Sequence, residues 1–169
     1  GEILEDLEGA LWLREQVEGC RVAKAPPLAR VVVAIDPAMS NGKQSDETGI
    51  IAAALGEDGN FYILADWSCR ASPEGWARRA IRLYEEKEAD MIVGEVNAGG
   101  DLVERVLKQI MPKIFFKPVR ALRGKVDRAL PVAALYEQGR VKHVGAMTKL
   151  EDQMTRFTPD IVATNSPDR

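Results

Sequence analysis

The spacing of apolar positions changes along the chain, and each change marks a predicted element. Val31, Val32, Val33, Ala34 and Ile35 form an unbroken apolar run that stops at Asp36. A run of this kind, closed by Asp36-Pro37, predicts a strand buried on both faces, because Pro cannot continue a ladder. Asn41-Gly42 signals a turn, so Asp36 is expected at the carboxyl end of the strand, facing the loop. Further apolar runs over 48–55 and 61–67 are joined by the hairpin-type stretch Gly56-Glu57-Asp58-Gly59. The three runs together predict an antiparallel meander. Ser72-Pro73-Glu74 then opens a helix, with Ser as N-cap and Pro in the first turn. Trp76, Ala80, Ile81 and Tyr84 recur at helical spacing and form its core-facing stripe.

A short apolar run over 91–94 predicts a fourth strand, and it too ends on a carboxylate, Glu95. Asn97-Ala98-Gly99-Gly100-Asp101 turns the chain into a helix capped by Asp101, whose apolar face is Leu102, Val103, Val106, Leu107 and Ile110. Residues 114–119 predict a fifth strand and Arg123-Gly124-Lys125 a basic loop. A helix is expected over 129–138, ended by Gly139 in the C-cap position. Residues 141–144 read as a short edge strand, 150–157 as a helix and 161–169 as an irregular tail. Ahead of all this, Ile3, Leu7, Leu11 and Val17 predict an amphipathic helix over 2–18, and Ala25-Pro26-Pro27 a linker. The order βββαβαβα indicates an α/β domain with a mixed sheet.

The apolar fraction of 46% and charged fraction of 29% are those of a globular domain, and no run approaches a membrane span. Cys20 and Cys69 have no metal-ligand spacing, which predicts reduced thiols and a cytoplasmic location. The chain begins without Met and ends among turn formers, as expected of a piece of a longer protein. Its net charge of −3 is unevenly distributed. The window 113–142 holds eight basic residues (Lys113, Lys117, Arg120, Arg123, Lys125, Arg128, Arg140 and Lys142) and only Asp127 and Glu137 against them. A local excess of +6 on a body carrying −9 suits a polyanion held at one face.

Two buried strands that both end in an acid make the sharpest chemical signal. If they are neighbours, Asp36 and Glu95 meet at one sheet edge, where a hard cation would relieve their repulsion. Asp168, in Ser166-Pro167-Asp168-Arg169, is a third candidate at what reads as the start of a helix. Three acids can hold two ions about 4 Å apart and clamp a phosphodiester. Asp46, Glu47 and Asp66 read as turn or strand-end acids. Gly99-Gly100 lacks a full phosphate-loop pattern, and His143 reads as a packing residue without a catalytic partner.

The elements and acids resemble the ribonuclease H-like fold, and at finer grain the nuclease domain of the large terminase subunit, the DNA-packaging motor of tailed phages and gene transfer agents. The matching stretches are VVVAIDPA (31–38), SDETGI (45–50), ILADWSCRASPEGWA (63–77), ADMIVGEVNAGGDLVERVL (89–107), RALRGKVDRALPVAALYEQGRVKHVG (120–145), LEDQM (150–154) and SPDR (166–169). The resemblance implies a mixed sheet of a three-strand antiparallel meander plus parallel strands, flanked by helices. It implies a two-metal endonuclease using Mg²⁺ or Mn²⁺ on concatemeric or genomic double-stranded DNA during packaging. Asp36, Glu95 and Asp168 match the family's acidic triad, although a further Asp usually follows this last motif and either acid would complete the site. Lys125 and Arg128 fall in the basic segment that would contact DNA, with Arg123, Arg140 and Lys142 beside them in sequence. Residues 1–28 would be a connector helix and linker from an upstream ATPase domain, and 29–169 the nuclease domain with its C-terminal helix truncated. The portal and small terminase would be partners, and no membrane is implied. A Holliday-junction resolvase or integrase-like nuclease and a non-catalytic DNA-docking module are the competing readings.

Overall fold

In a computed structural model, residues 7–37, 47–96 and 101–159 are described. The chain divides into two compact units, Ala25–Leu122 and a second that combines Gly1–Lys24 with Arg123–Arg169. The second unit contributes the strands β1 (Arg21–Val22) and β7 (Val141–Val144).

The first unit is built on β2 (Leu28–Asp36), β3 (Gly49–Gly56), β4 (Phe61–Asp66), β5 (Met91–Glu95) and β6 (Phe116–Val119), in the order β4-β3-β2-β5-β6. The meander is as expected. β2 pairs antiparallel with β3, and β3 with β4, across a turn in which Gly59 takes the left-handed φ of +84° that glycine accepts without strain. On its other side β2 pairs in parallel with β5, and β5 with β6. The connections between these parallel strands carry α2 (Pro73–Glu86) and α3 (Leu102–Ile110).

One face of the sheet is closed and the other less so, which corrects the expectation of a strand buried on both faces. Val31, Val33, Ile35, Ile50, Ala52 and Ile92 are buried, whereas the alternating Val32, Ala34, Ile51 and Val93 are half-buried. Packing against the closed face falls to α2, which buries Trp76, Ala77, Ala80, Ile81 and Leu83. Its start is as read from sequence: Ser72 Oγ accepts the Gly75 amide at 3.2 Å, and Pro73 opens the helix. Ser72→Ala should therefore cost about 1 kcal/mol, visible as a lower urea midpoint with an unchanged m value. Trp67 is half-buried instead, with the Arg79 guanidinium 5.4 Å from its ring centre.

At α3 the expected cap is missing. Asp101 occupies the N-cap position but makes no side-chain capping bond, and its carboxylate lies 4.0 Å from the Arg105 guanidinium.

In the second unit the leading helix is much shorter than expected. Among the described residues of that stretch only α1 (Arg14–Gly19) forms; Gly9, at a φ of +80°, and the Leu7–Ala10 turn bond break the periodicity before it. Residues 2–6 of the expected helix lie outside the described residues. The chain then forms β1, which pairs in parallel with β7, a partner the sequence pattern did not announce. Trp12 is buried edge-on against Tyr136 and Phe157, with ring centres 6.1 and 5.7 Å away. Helix α4 (Lys125–Glu137) starts four residues earlier than expected, with Gly124 of the basic loop as its N-cap and Lys125 as its first residue. Pro131 thus sits inside the helix, where it leaves one backbone bond unmade. Gly139 ends the helix region at a φ of +71°, as expected, and α5 (Thr148–Thr155) follows β7. Among the described residues no helix is long and apolar enough to cross a membrane.

Candidate active site

Asp36 and Glu95 are brought together by register. Ile35 pairs with Gly94 across the parallel β2–β5 ladder, so the next step along both strands sets Asp36 beside Glu95. Neighbouring strands lie about 4.8 Å apart, and residues in register point to the same face. Both acids share the less closed face, since Ile35 and Gly94 before them are on the buried one. Asp36 is exposed and Glu95 half-buried. Both stand at the carboxyl ends of parallel strands, where α/β sheets hold their ligands.

Glycines shape the ground on either side. Gly49 is the β3 partner of Asp36, and a Cβ placed there would lie 3.7 Å from that of Asp36, so no side chain occupies this neighbouring place. Gly94 acts on the opposite face, where the Phe116 ring and Ile35 would meet an added Cβ at 3.1 and 3.4 Å. The absence of a side chain at Gly94 lets Phe116 seal the buried face directly beneath the acid pair.

Asp66 Oδ1 accepts the Ser68 amide at 3.1 Å and the Ser68 hydroxyl at 2.6 Å, a strand-end cap as expected. Glu47 is half-buried ahead of the Thr48–Cys69 bridge. Asp168, Asp46, the Asn41-Gly42 turn, Gly99-Gly100 and the 161–169 tail lie outside the described residues. Among the described residues no group of three or more His, Cys, Asp or Glu side chains is placed to hold a metal ion. The site as described is a pair of hard oxygen donors on adjacent strands, a donor type that suits Mg²⁺ or Mn²⁺.

The basic candidates belong to the second unit. Arg123 precedes α4, and Lys125 and Arg128 lie three residues apart in its first turn, all three exposed. Cations there face the positive end of the helix dipole, which costs each a few tenths of a kcal/mol and favours an approaching anion. Arg140 is exposed before β7, and Lys142 is half-buried on it.

A buried polar network in this unit had no sequence signal. His143, 0% exposed, bonds the Tyr136 hydroxyl through Nε2 at 2.6 Å and Glu151 Oε2 through Nδ1 at 2.9 Å. The other Glu151 oxygen accepts from Arg21 at 2.6 Å. Burial pushes the Tyr136 hydroxyl well above its ordinary pKa, with the nearby Cys20 and Glu151 adding to it. The hydroxyl stays protonated, and the Glu151 carboxylate, which can only accept, takes the proton-bearing Nδ1. Every member is satisfied, so the network ties β1, α4, β7 and α5 into one core, as the packing role read for His143 requires.

The family model of the terminase RNase H-like domain matches residues 33–168. The chain belongs to that family. Solved structures agree on the fold of this terminase domain. It superposes on the large terminase of the thermophilic bacteriophage D6E with a TM-score of 0.68 at 11% identity, covering 96% of this chain and 40% of that one. The large terminase nuclease of thermophilic phage G20c gives 0.60 at 16% identity, covering 89% and 82%, and the HK97 bacteriophage large terminase 0.61 at 13%, covering 80% and 34%. The terminase domain thus spans well under half the length of the D6E and HK97 proteins. No curated protein sequence matches significantly. The mixed sheet expected from the resemblance is the RNase H-like fold of the family.

Proposed function

We propose that this terminase domain is the metal-dependent DNA endonuclease of a large terminase, cutting concatemeric or genomic double-stranded DNA during packaging. The observation that carries the reading is the register that sets Asp36 beside Glu95 at the carboxyl ends of two parallel strands. Asp36 and Glu95 would hold divalent ions together with Asp168, and the donors are of the right kind for two Mg²⁺ or Mn²⁺. The G20c nuclease has been solved with bound magnesium and with bound cobalt. When bound, such ions supply Lewis-acid polarisation of the phosphodiester and offset the charge that builds on it. The protein's own contribution is to fix two carboxylates on rigid strands and to leave the place at Gly49 open beside them.

Arg123, Lys125, Arg128, Arg140 and Lys142 are assigned to the DNA backbone. Lys125 stands exposed in the first turn of α4, where the helix dipole brings it no gain, which supports an anionic partner. Residues 1–28 would lead from an ATPase domain of the same polypeptide, and the portal and small terminase would complete a cytoplasmic motor. Lys125→Ala and Arg128→Ala should each flatten the log–log salt dependence of DNA binding by about 0.9, equally for any sequence. Unchanged slopes in both would remove them from the interface. The function itself is tested by supercoiled plasmid: nicking in Mn²⁺ or Mg²⁺, stopped by EDTA, is the expected result. An intact plasmid in the presence of DNA binding would favour a docking module.

A further inference from the structure

Lys117 lies on the same sheet face as the acid pair. In the β5–β6 ladder Val93 pairs with Lys117 and Glu95 with Val119. Phe116 fixes the assignment independently, since its ring lies 3.1 Å from where a Cβ on Gly94 would stand on the buried face, which turns the next residue to the other side. Counting one strand across and two residues back from Glu95 gives a Cα separation of about 8 Å, which a lysine side chain spans. Lys117 is exposed and makes no ion pair among the described residues. Beside the acids, then, the sheet carries one cation on its outermost strand.

We propose that Lys117 is a positioning residue that holds the backbone phosphate next to the scissile one, on the β6 side of Asp36 and Glu95. The proposal rests on the nuclease reading and adds a direction to it. Asp36 and Glu95 would hold the cations that polarise the phosphate to be cut, while Lys117 takes its neighbour on one side only. The strand is thereby laid across the sheet in one polarity. A lysine beside Pro118 on an edge strand also blocks edge-to-edge pairing, and that is the competing role. Edge protection works from either face and is indifferent to DNA charge, which makes the two separable.

The test is a labelled duplex carrying a single methylphosphonate, with cuts mapped nucleotide by nucleotide in Mn²⁺. For the wild-type chain, the neutral linkage should suppress cutting about tenfold at the bond on one side of it and much less at the other, the loss expected of one charge-assisted bond. Lys117→Ala should cut the all-phosphate duplex about tenfold more slowly and lose that asymmetry, while Lys117→Arg keeps most of both. Suppression that stays one-sided in Lys117→Ala, or wild-type rates in that variant, would overturn the assignment while leaving the nuclease standing. No cutting by the wild-type chain would overturn the nuclease reading and this proposal with it.

Discussion

Asp36→Ala is expected to lower plasmid nicking by at least about a thousandfold, roughly 4 kcal/mol of barrier, and Glu95→Ala to do the same. Each substitution leaves a single carboxylate on two adjacent strands, and one acid cannot fix a cation and a phosphodiester in a shared geometry. The fold should survive. Asp36 is exposed at the last position of β2, its backbone remains paired with Gly49, and the buried face behind it is formed by Ile35, Gly94 and Phe116. Stability should therefore change by less than about 1 kcal/mol, as for other surface positions. Thermal melts of both variants alongside the nicking assay separate lost chemistry from lost structure. Wild-type rates in Asp36→Ala would refute the site.

Glu151→Ala should do the opposite, costing about 3 kcal/mol of stability through a mechanism unconnected with catalysis. Glu151 is 3% exposed and accepts from both His143 and Arg21, so its removal leaves His143 Nδ1–H buried without an acceptor. Arg21, partly exposed, can turn to water, which keeps the cost at the low end for broken buried pairs. The melting temperature should fall by roughly 6–12 °C in a chain of this size. Glu151→Gln, which still presents an oxygen to Nδ1, should lose about half as much. A loss under about 1 kcal/mol for the alanine variant would mean that water replaces the carboxylate and the network is not closed.

What the sequence disclosed and what it hid follow from the range of the forces involved. The meander was legible because its apolar runs, the Gly56–Gly59 turn and the Ser72-Pro73 helix start are local signals. Asp36 and Glu95 were legible as strand-end acids, and their adjacency needed only the pairing of the first and fourth strands. Gly9 stands inside the leading pattern, and a left-handed glycine cancels helical periodicity that composition alone supports. Helix α4 began early because Gly124 supplied an extended N-cap, although Lys125 and Arg128 oppose the helix dipole. β1 has two residues and no period to read; its existence depends on β7, more than a hundred residues later. The Tyr136–His143–Glu151–Arg21 network spans two helices and two strands, so no spacing in the chain announces it. Lys117 was visible as one cation among eight, and only strand register gave it a face.

Manganese binding in the absence of DNA tests the central claim most directly, because it reads the site rather than the reaction. Electron paramagnetic resonance of free Mn²⁺ should lose intensity when the wild-type chain is added. The Asp36→Asn, Glu95→Gln double variant, matched in shape and stripped of both charges, should leave the signal unchanged. Equal quenching by the two proteins would contradict the account, because the ion would then be held by residues other than the strand-end pair.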